Sequence, residues 1–272
     1  MSGAELEFFK QAIEKIKANN YFEAISILDN IILSSSTAYS ISTNCNLNIN
    51  EWEFFEDISH CEKTVNQKNN CYSGYLALSL LFKLVGNNDR RKIFLQKALK
   101  INNTISRIWR DYGETSFQLG NIREAFQQFQ EAISINPKDT ISFEGLGLCY
   151  YYLDEPFKAI PPLKKALEIS PENHRIMNDL AFIFSEIGEL KDAKEIIGKA
   201  LELEKDNNIY LDTFASILFL EEQYDESLKI FEKILANSPK DWEVSWDILI
   251  NVYENLGLHA KAKIIEEKLH IK

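Results

Sequence analysis

The sequence SRIWRDYGETSFQLGNIREAFQQFQEAISINP at residues 106–137 is followed by KDTISFEGLGLCYYYLDEPFKAIPPLKKALEISP at residues 138–171, which repeats its skeleton. The closing prolines, Pro137 and Pro171, lie 34 residues apart. Each copy places an aromatic residue, an apolar residue followed by glycine, and two alanines at matching positions: Trp109, Tyr112, Gly113, Ala125 and Ala132, then Phe143, Leu146, Gly147, Ala159 and Ala166. A fixed period of this size is typical of stacked helical hairpins.

Each copy reads as two helices joined by a tight turn. The apolar residues at helical spacing are Ile108, Trp109, Tyr112 and Leu119 in the first half of the first copy and Phe126, Phe129 and Ile133 in the second half. Gly120-Asn121 between them combines a helix stop with a helix start. We therefore predict a first helix, a turn and a second helix in every copy.

Small residues mark the places where the two helices must approach closely. These are Gly113 on the first helix and Ala125 and Ala132 on the second. A larger side chain there would push the helix axes beyond their usual spacing of about 8–10 Å. A single hairpin cannot bury its own apolar faces, so stability must come from stacking on neighbouring hairpins.

The order Trp109, Tyr112-Gly113, Gly120, Ala125, Phe129, Ala132 and Pro137 resembles the tetratricopeptide repeat. The phase continues through Leu180-Ala181, Gly188, Ala193, Ile197 and Ala200, and through Phe214-Ala215, Ser227, Phe231 and Pro239, with Lys205 standing in place of one proline. The resemblance implies an all-α fold of the α-solenoid class, a right-handed superhelix of antiparallel helix pairs.

The resemblance covers residues 72–272 well and residues 5–33 more loosely. We expect a degenerate first helical repeat in 1–33, an insertion in 34–71, and six repeats in 72–105, 106–139, 140–173, 174–207, 208–242 and 243–272. All of these would form one solenoid domain. The second helix of the repeat at 140–173 carries Pro161-Pro162, and proline inside a helix removes a hydrogen bond. This predicts a bend or a broken turn near residue 160.

The insertion breaks the period with a Ser- and Asn-rich stretch that predicts an exposed loop. Trp52, Phe55 and Ile58 then follow at helical spacing. We predict an extra short helix at about 50–64 that packs on the stack. Long insertions in repeat proteins usually leave from one face, which is often the binding face.

The formal net charge is −11, which disfavours nucleic acid because phosphate neutralisation needs clustered Lys and Arg. It also disfavours anionic membrane surfaces and permits basic partners. No apolar run reaches the length needed to span a bilayer, and the first residues lack the features of a signal peptide. The sequence therefore predicts an acidic, cytoplasmic protein without membrane insertion, whose four cysteines are reduced.

Motifs for catalysis are missing from the sequence. Gly145 and Gly147 form a Gly-x-Gly pair within a predicted helix, with no preceding strand and no third glycine. Phosphate-loop, zinc-protease and nucleophile-elbow motifs do not occur. The metal candidate consists of Cys45, His60, Cys61 and Cys71, but its spacing matches no zinc finger and adjacent residues cannot easily both point inward. We predict a protein without catalysis, cofactor or metal.

In the family that the chain resembles, the first helix of each repeat lines a concave groove. The repeat register then places these side chains toward a ligand: Arg107, Arg110, Asp111, Glu114, Phe117, Glu144, Leu148, Tyr151, Tyr152, Arg175, Asn178, Asp179, Phe182, Glu186, Asp212, Ser216 and Phe219. Aromatic residues beside carboxylates suit a peptide with apolar anchors and basic residues. Alternatively, the aromatic residues pack against adjacent repeats and the charges form a solvated face.

Two ligand modes of the family do not fit. Some members hold a partner's C-terminal carboxylate with Lys and Asn, but Glu114 and Asp179 occupy two of the corresponding places. Others carry an asparagine ladder, which here would be Asp111, Gly145, Asp179 and Thr213.

The leading hypothesis is a non-catalytic scaffold that binds a peptide or protein segment in the groove. A second hypothesis is a self-associating assembly or regulatory subunit of a larger complex, a possible homo-oligomer that uses Tyr151, Tyr152 or the 50–64 helix. A third is an enzyme with its chemistry on the insertion at 34–71, where no motif supports it.

Overall fold

The computed structural model describes residues 3–34, 55–68, 71–237 and 244–270. Within these ranges it has fifteen α-helices and no strand, which is an all-α fold of the α-solenoid class. The chain divides into two compact units, Met1–Leu153 and Asp154–Lys272. Each unit is described separately below.

Unit 1 contains eight described helices. They are α1 (Gly3–Lys17), α2 (Tyr21–Ser34), α3 (Phe55–Gln67), α4 (Tyr72–Leu84), α5 (Asn88–Ile101), α6 (Ser106–Gln118), α7 (Ile122–Ile135) and α8 (Thr140–Tyr152). Helices α1/α2, α4/α5 and α6/α7 pack as pairs. Helix α3 lies in the insertion and packs on α1 and α4 through the buried side chains of Ile58, Cys61 and Val65. The remainder of the insertion, residues 35–54 and 69–70, lies outside the described residues.

Unit 2 contains seven described helices. They are α9 (Pro156–Ile169), α10 (His174–Glu186), α11 (Leu190–Leu203), α12 (Asn208–Leu220), α13 (Tyr224–Asn237), α14 (Trp246–Asn255) and α15 (His259–His270). Helices α10/α11, α12/α13 and α14/α15 pack as pairs, and α9 packs against α10. Helix α12 also packs on α10 and α14, so the first helices of the three pairs are neighbours.

The turn after α6 shows how the sequence ends one helix and starts the next. Gly120 has φ +76°, a left-handed conformation that glycine adopts without strain. Its N–H donates to the carbonyl of Phe117 (2.9 Å), and the N–H of Asn121 donates to the carbonyl of Ser116 (2.9 Å). This hydrogen-bond pair satisfies the last carbonyls of the helix and reverses the chain.

The close helix approach predicted at Gly113 is confirmed. The fully buried ring of Phe129 on α7 lies against both Gly113 on α6 and Gly145 on α8. A Cβ atom at Gly113 would meet the ring at 2.8 Å, and a Cβ atom at Gly145 would overlap the ring's far edge. The glycines therefore let three helices close around one phenylalanine.

The broken turn predicted near residue 160 is wrong, because α9 stays helical from Pro156 to Ile169, and a bend there stays a prediction. Pro161 and Pro162 have no N–H to donate within the helix, and the turn before them is exposed at Phe157 and Lys158. Pro162 is buried beside other apolar residues of α9 and contributes to the core.

Candidate partner-binding surface

In unit 1 a buried group of three charges joins the first helices α4 and α6 to the second helix α5. The Nζ of Lys83 on α4 donates to both carboxylate oxygens of Glu114 on α6, at 2.7 and 2.8 Å. The Nη2 of Arg91 on α5 donates to the Oε2 of Glu114 at 2.6 Å. All three side chains are buried. Glu114, which the sequence places toward a ligand, is therefore part of the interior of the unit.

The protonation state of Glu114 follows from these two partners. Burial alone would raise the pKa of the carboxyl, but the charges and hydrogen bonds of Lys83 and Arg91 hold that pKa well below its usual range. The group is therefore ionised at neutral pH. A ligand could reach it only by breaking a buried ion pair, which leaves an uncompensated charge in the core.

A second ionic network surrounds Asp111 on α6. Its buried carboxylate accepts from the Nε of Arg110 at 3.2 Å and lies 3.5 Å from the Nε of Arg107. Burial opposes ionisation of Asp111, but Arg110 and Arg107 lower its pKa. Arg107 also holds Asp29 on α2 through two hydrogen bonds of 2.5 and 2.8 Å, and Arg110 lies 3.8 Å from Asp139. The charges predicted to meet a ligand thus pair with one another.

The other residues of unit 1 that were predicted to face a ligand fall into a buried group and an exposed one. Glu144, Leu148 and Phe117 are buried, whereas the ring of Tyr152 is 56% exposed. Tyr152 contacts Phe117 and Tyr151 edge-on, with ring centroids 5.2 and 5.4 Å apart. Packing between repeats therefore accounts for Phe117 and Leu148, while Tyr152 remains at the surface.

In unit 2, helix α10 leaves more of its predicted residues at the surface. Asn178 is buried, and Arg175 and Asp179 are half-buried. Phe182 is 37% exposed although its neighbours Ala181 and Ile183 are fully buried, so part of its side chain reaches the surface. Glu186, one turn further along, is exposed.

Helix α12 uses its predicted carboxylate to fix the next helix. Asp212 accepts from the backbone N–H of Ser245 at 2.9 Å and from the Ser245 hydroxyl at 2.6 Å. Ser245 is the N-cap residue of α14. Burial raises the pKa of Asp212, the bonds from Ser245 oppose this, and the charge of Asp247 adds to the rise. The Ser216 hydroxyl donates to the carbonyl of Asp212 (2.9 Å).

The last predicted residue, Phe219, is half-buried against Tyr224. Two exposed apolar residues of α12 were missed, Ile209 (39% exposed) and Leu220 (43%). Asp247 and Asn251 on α14 are also exposed and were missed. The 34-residue period could have found the first two, because Ile209 follows Arg175 and Leu220 follows Glu186 by that interval.

The groove prediction also missed four charged residues of unit 1, which are Lys83, Arg91, Asp29 and Asp139. The sequence contained a signal for Arg91, which stands at the repeat position that Ala125 occupies in the next repeat. A long cation at a position of close helix packing requires a buried counter-charge. The sequence could therefore have predicted the partner on a neighbouring helix.

The cysteines of the insertion have separate surroundings. The Cys61 thiol is buried and donates to the carbonyl of Ile13 (3.7 Å), and burial raises its pKa to about 12. The adjacent His60 is exposed, and the sulfur of Cys71 lies 3.1 Å from the hydroxyl of Ser73. Cys45 lies outside the described residues. Among the residues that the structure does describe, no three His, Cys, Asp or Glu side chains are grouped to hold a metal ion.

The sequence predicts no membrane insertion. Within the described ranges, no helix is both long enough and apolar enough to span a bilayer.

Comparison with known proteins agrees with this architecture. Residues 106–139 and 174–207 match the family model of the tetratricopeptide repeat. A tetratricopeptide repeat protein from Parabacteroides merdae has a similar structure, with a TM-score of 0.62, 21% identity, and coverage of 74% of this chain and 79% of that chain. Comparison with curated proteins finds no match.

Two further solved structures have the same fold. PilF from Pseudomonas aeruginosa superposes with a TM-score of 0.59 at 14% identity, covering 88% of this chain and 93% of that chain. YrrB, a protein described as having an unusual peptide-binding site, gives 0.53 at 18% identity, covering 66% and 93%. These solved structures share the helical solenoid fold with this chain. The two matched segments, residues 106–139 and 174–207, are tetratricopeptide repeats, and such repeats indicate a scaffold for protein–protein interaction.

Proposed function

We propose that the chain binds a peptide or protein segment on the surface lined by the first helices of its repeats. The observation that carries the proposal is the partly exposed side chain of Phe182 on α10, which packs beside α12 and its exposed Ile209 and Leu220. Exposed aromatic and aliphatic side chains on neighbouring helices supply the apolar anchoring sites that peptide recognition uses. In unit 1 most of the corresponding positions are buried or ion-paired.

The test compares two phenylalanines of unit 2 that are both exposed but lie on different kinds of helix. Phe182 is on a first helix, and Phe157, 69% exposed, is on the second helix α9. Peptides are selected from a displayed random library on the full chain, and their affinities are measured for Phe182→Ala and Phe157→Ala. We expect Phe182→Ala to weaken binding by about tenfold, as for a central apolar anchor, and Phe157→Ala to leave it unchanged.

Equal affinities for the two variants would contradict the proposal, provided that circular dichroism shows both to be folded. Light scattering on the same samples tests the alternative of self-association. A mass that rises with concentration and falls on Tyr152→Ser would support that alternative instead.

A further inference from the structure

The charges of unit 2 are distributed unequally between its two kinds of helix. The first helices α10, α12 and α14 contain one cation, Arg175, and five carboxylates, which are those of Asp179, Glu186, Asp212, Asp247 and Glu254. The second helices α9, α11, α13 and α15 contain eleven Lys and nine Asp or Glu. Among the described helices of unit 2, the excess negative charge thus belongs to those that form the surface with Phe182.

The first helices of unit 1 do not share this imbalance. Helices α4, α6 and α8 contain three cations and three carboxylates, and two of those carboxylates, Glu114 and Asp111, accept from cations of the unit. Their charges are therefore compensated inside the fold. Over its whole length, unit 1 has 15 Lys and Arg against 17 Asp and Glu, whereas unit 2 has 15 against 24.

Three exposed polar residues of unit 2 lie on one face of α14. Asp247, Asn251 and Glu254 are exposed and lie on one face of α14, because they are spaced by four and three residues. Asp247 lies in the first turn of α14, two residues after Ser245, which bonds to Asp212 on α12, so the two carboxylates lie near the same helix start, where like charges repel. A cation placed between α12 and α14 would relieve that repulsion.

We propose that unit 2 recognises a cationic segment, one in which Lys or Arg residues alternate with apolar anchors, on the surface of α10, α12 and α14. This inference rests on the proposed function and specifies the partner's chemistry. Phe182, Ile209 and Leu220 receive the apolar side chains, and Glu186 and Asp247 attract the basic ones. Unit 1 takes no part in the charge recognition, because its ion pairs are already formed.

The experiment uses the peptides selected from the displayed random library and two charge-reversed variants of the full chain. Glu186→Lys with Asp247→Lys reverses two exposed carboxylates on first helices. Glu195→Lys with Glu202→Lys reverses two exposed carboxylates on the second helix α11 and changes the net charge by the same amount. Asp212 is left intact, since it fixes the start of α14.

We expect the selected peptides to be enriched in Lys and Arg relative to the library. The first-helix variant should lose at least about tenfold in affinity and the α11 variant less than about twofold, with weaker binding at high salt. Acidic or uncharged peptides, or equal losses in the two variants, would overturn this inference. If such peptides still depend on Phe182, the proposed function stands; if no peptide is selected or none depends on Phe182, both proposals fail.

Discussion

Glu114 on α6 and Asp212 on α12 belong to the same set of predicted ligand-facing residues, yet their carboxylates have opposite surroundings. Glu114 is enclosed between Lys83 and Arg91, which lower its pKa. Asp212 is bonded by the uncharged Ser245 instead, and burial raises its pKa. The Glu114 carboxylate therefore joins three helices of unit 1 by ion pairs, whereas Asp212 fixes the start of α14 in unit 2 by uncharged hydrogen bonds.

The largest expected effect comes from removing the shared carboxylate of unit 1. Glu114→Gln leaves Lys83 and Arg91 buried without the carboxylate that accepts their hydrogen bonds, which should lower the free energy of unfolding by about 3–5 kcal/mol. Chemical denaturation followed by circular dichroism measures this loss. Replacing all three residues together (Lys83→Met, Arg91→Met, Glu114→Leu) should cost far less, because no charge is then left unpaired. A triple variant as unstable as the single one would disprove the ion-pair explanation.

A smaller effect on stability, of opposite sign in the two units, is expected when one glycine of each unit is replaced by alanine. Gly145→Ala on α8 would drive a methyl group into the ring of Phe129 and should destabilise the protein by about 1–3 kcal/mol. Gly198→Ala on α11 meets open space and should stabilise it by up to about 1 kcal/mol, since alanine favours helix. Thermal unfolding of the two variants measures both changes in stability. Opposite signs are expected, and a stabilised Gly145→Ala would show that the three helices can move apart.

The smallest effect is a difference in pH dependence. The pKa of Glu114 is lowered by folding, so wild type should lose stability relative to Glu114→Gln as pH falls below about 4.3, by up to about 1.4 kcal/mol per pH unit. The pKa of Asp212 is raised by folding, so wild type should gain stability relative to Asp212→Asn as pH falls toward about 3.9. Denaturation at a series of pH values gives both slopes. Slopes of the same sign would contradict the contrast between the two carboxylates.

The fold could be predicted from sequence because its signals are local and repeated. The 34-residue period, the glycine at residue 120 and the small residues at 113, 125 and 132 each specify backbone geometry over a few residues. The broken turn expected at Pro161-Pro162 was wrong, since α9 continues through both prolines.

The candidate site was less predictable because it depends on contacts between distant residues. Phe182 and Glu186, which the repeat register places toward a ligand, are exposed on α10. The register alone cannot show that Asp212 bonds to a residue 33 positions later, or that Arg107 reaches Asp29 across 78 positions. Side chains at equivalent repeat positions therefore differ in exposure according to the partners that each repeat happens to meet.

Hydrogen exchange measured by mass spectrometry on the full chain, with and without a selected cationic peptide, tests the contrast between the units most directly. Bound peptide should slow exchange in α10, α12 and α14 and leave α4, α6 and α8 unchanged. Protection confined to α4, α6 and α8 would contradict the assignment of partner recognition to unit 2.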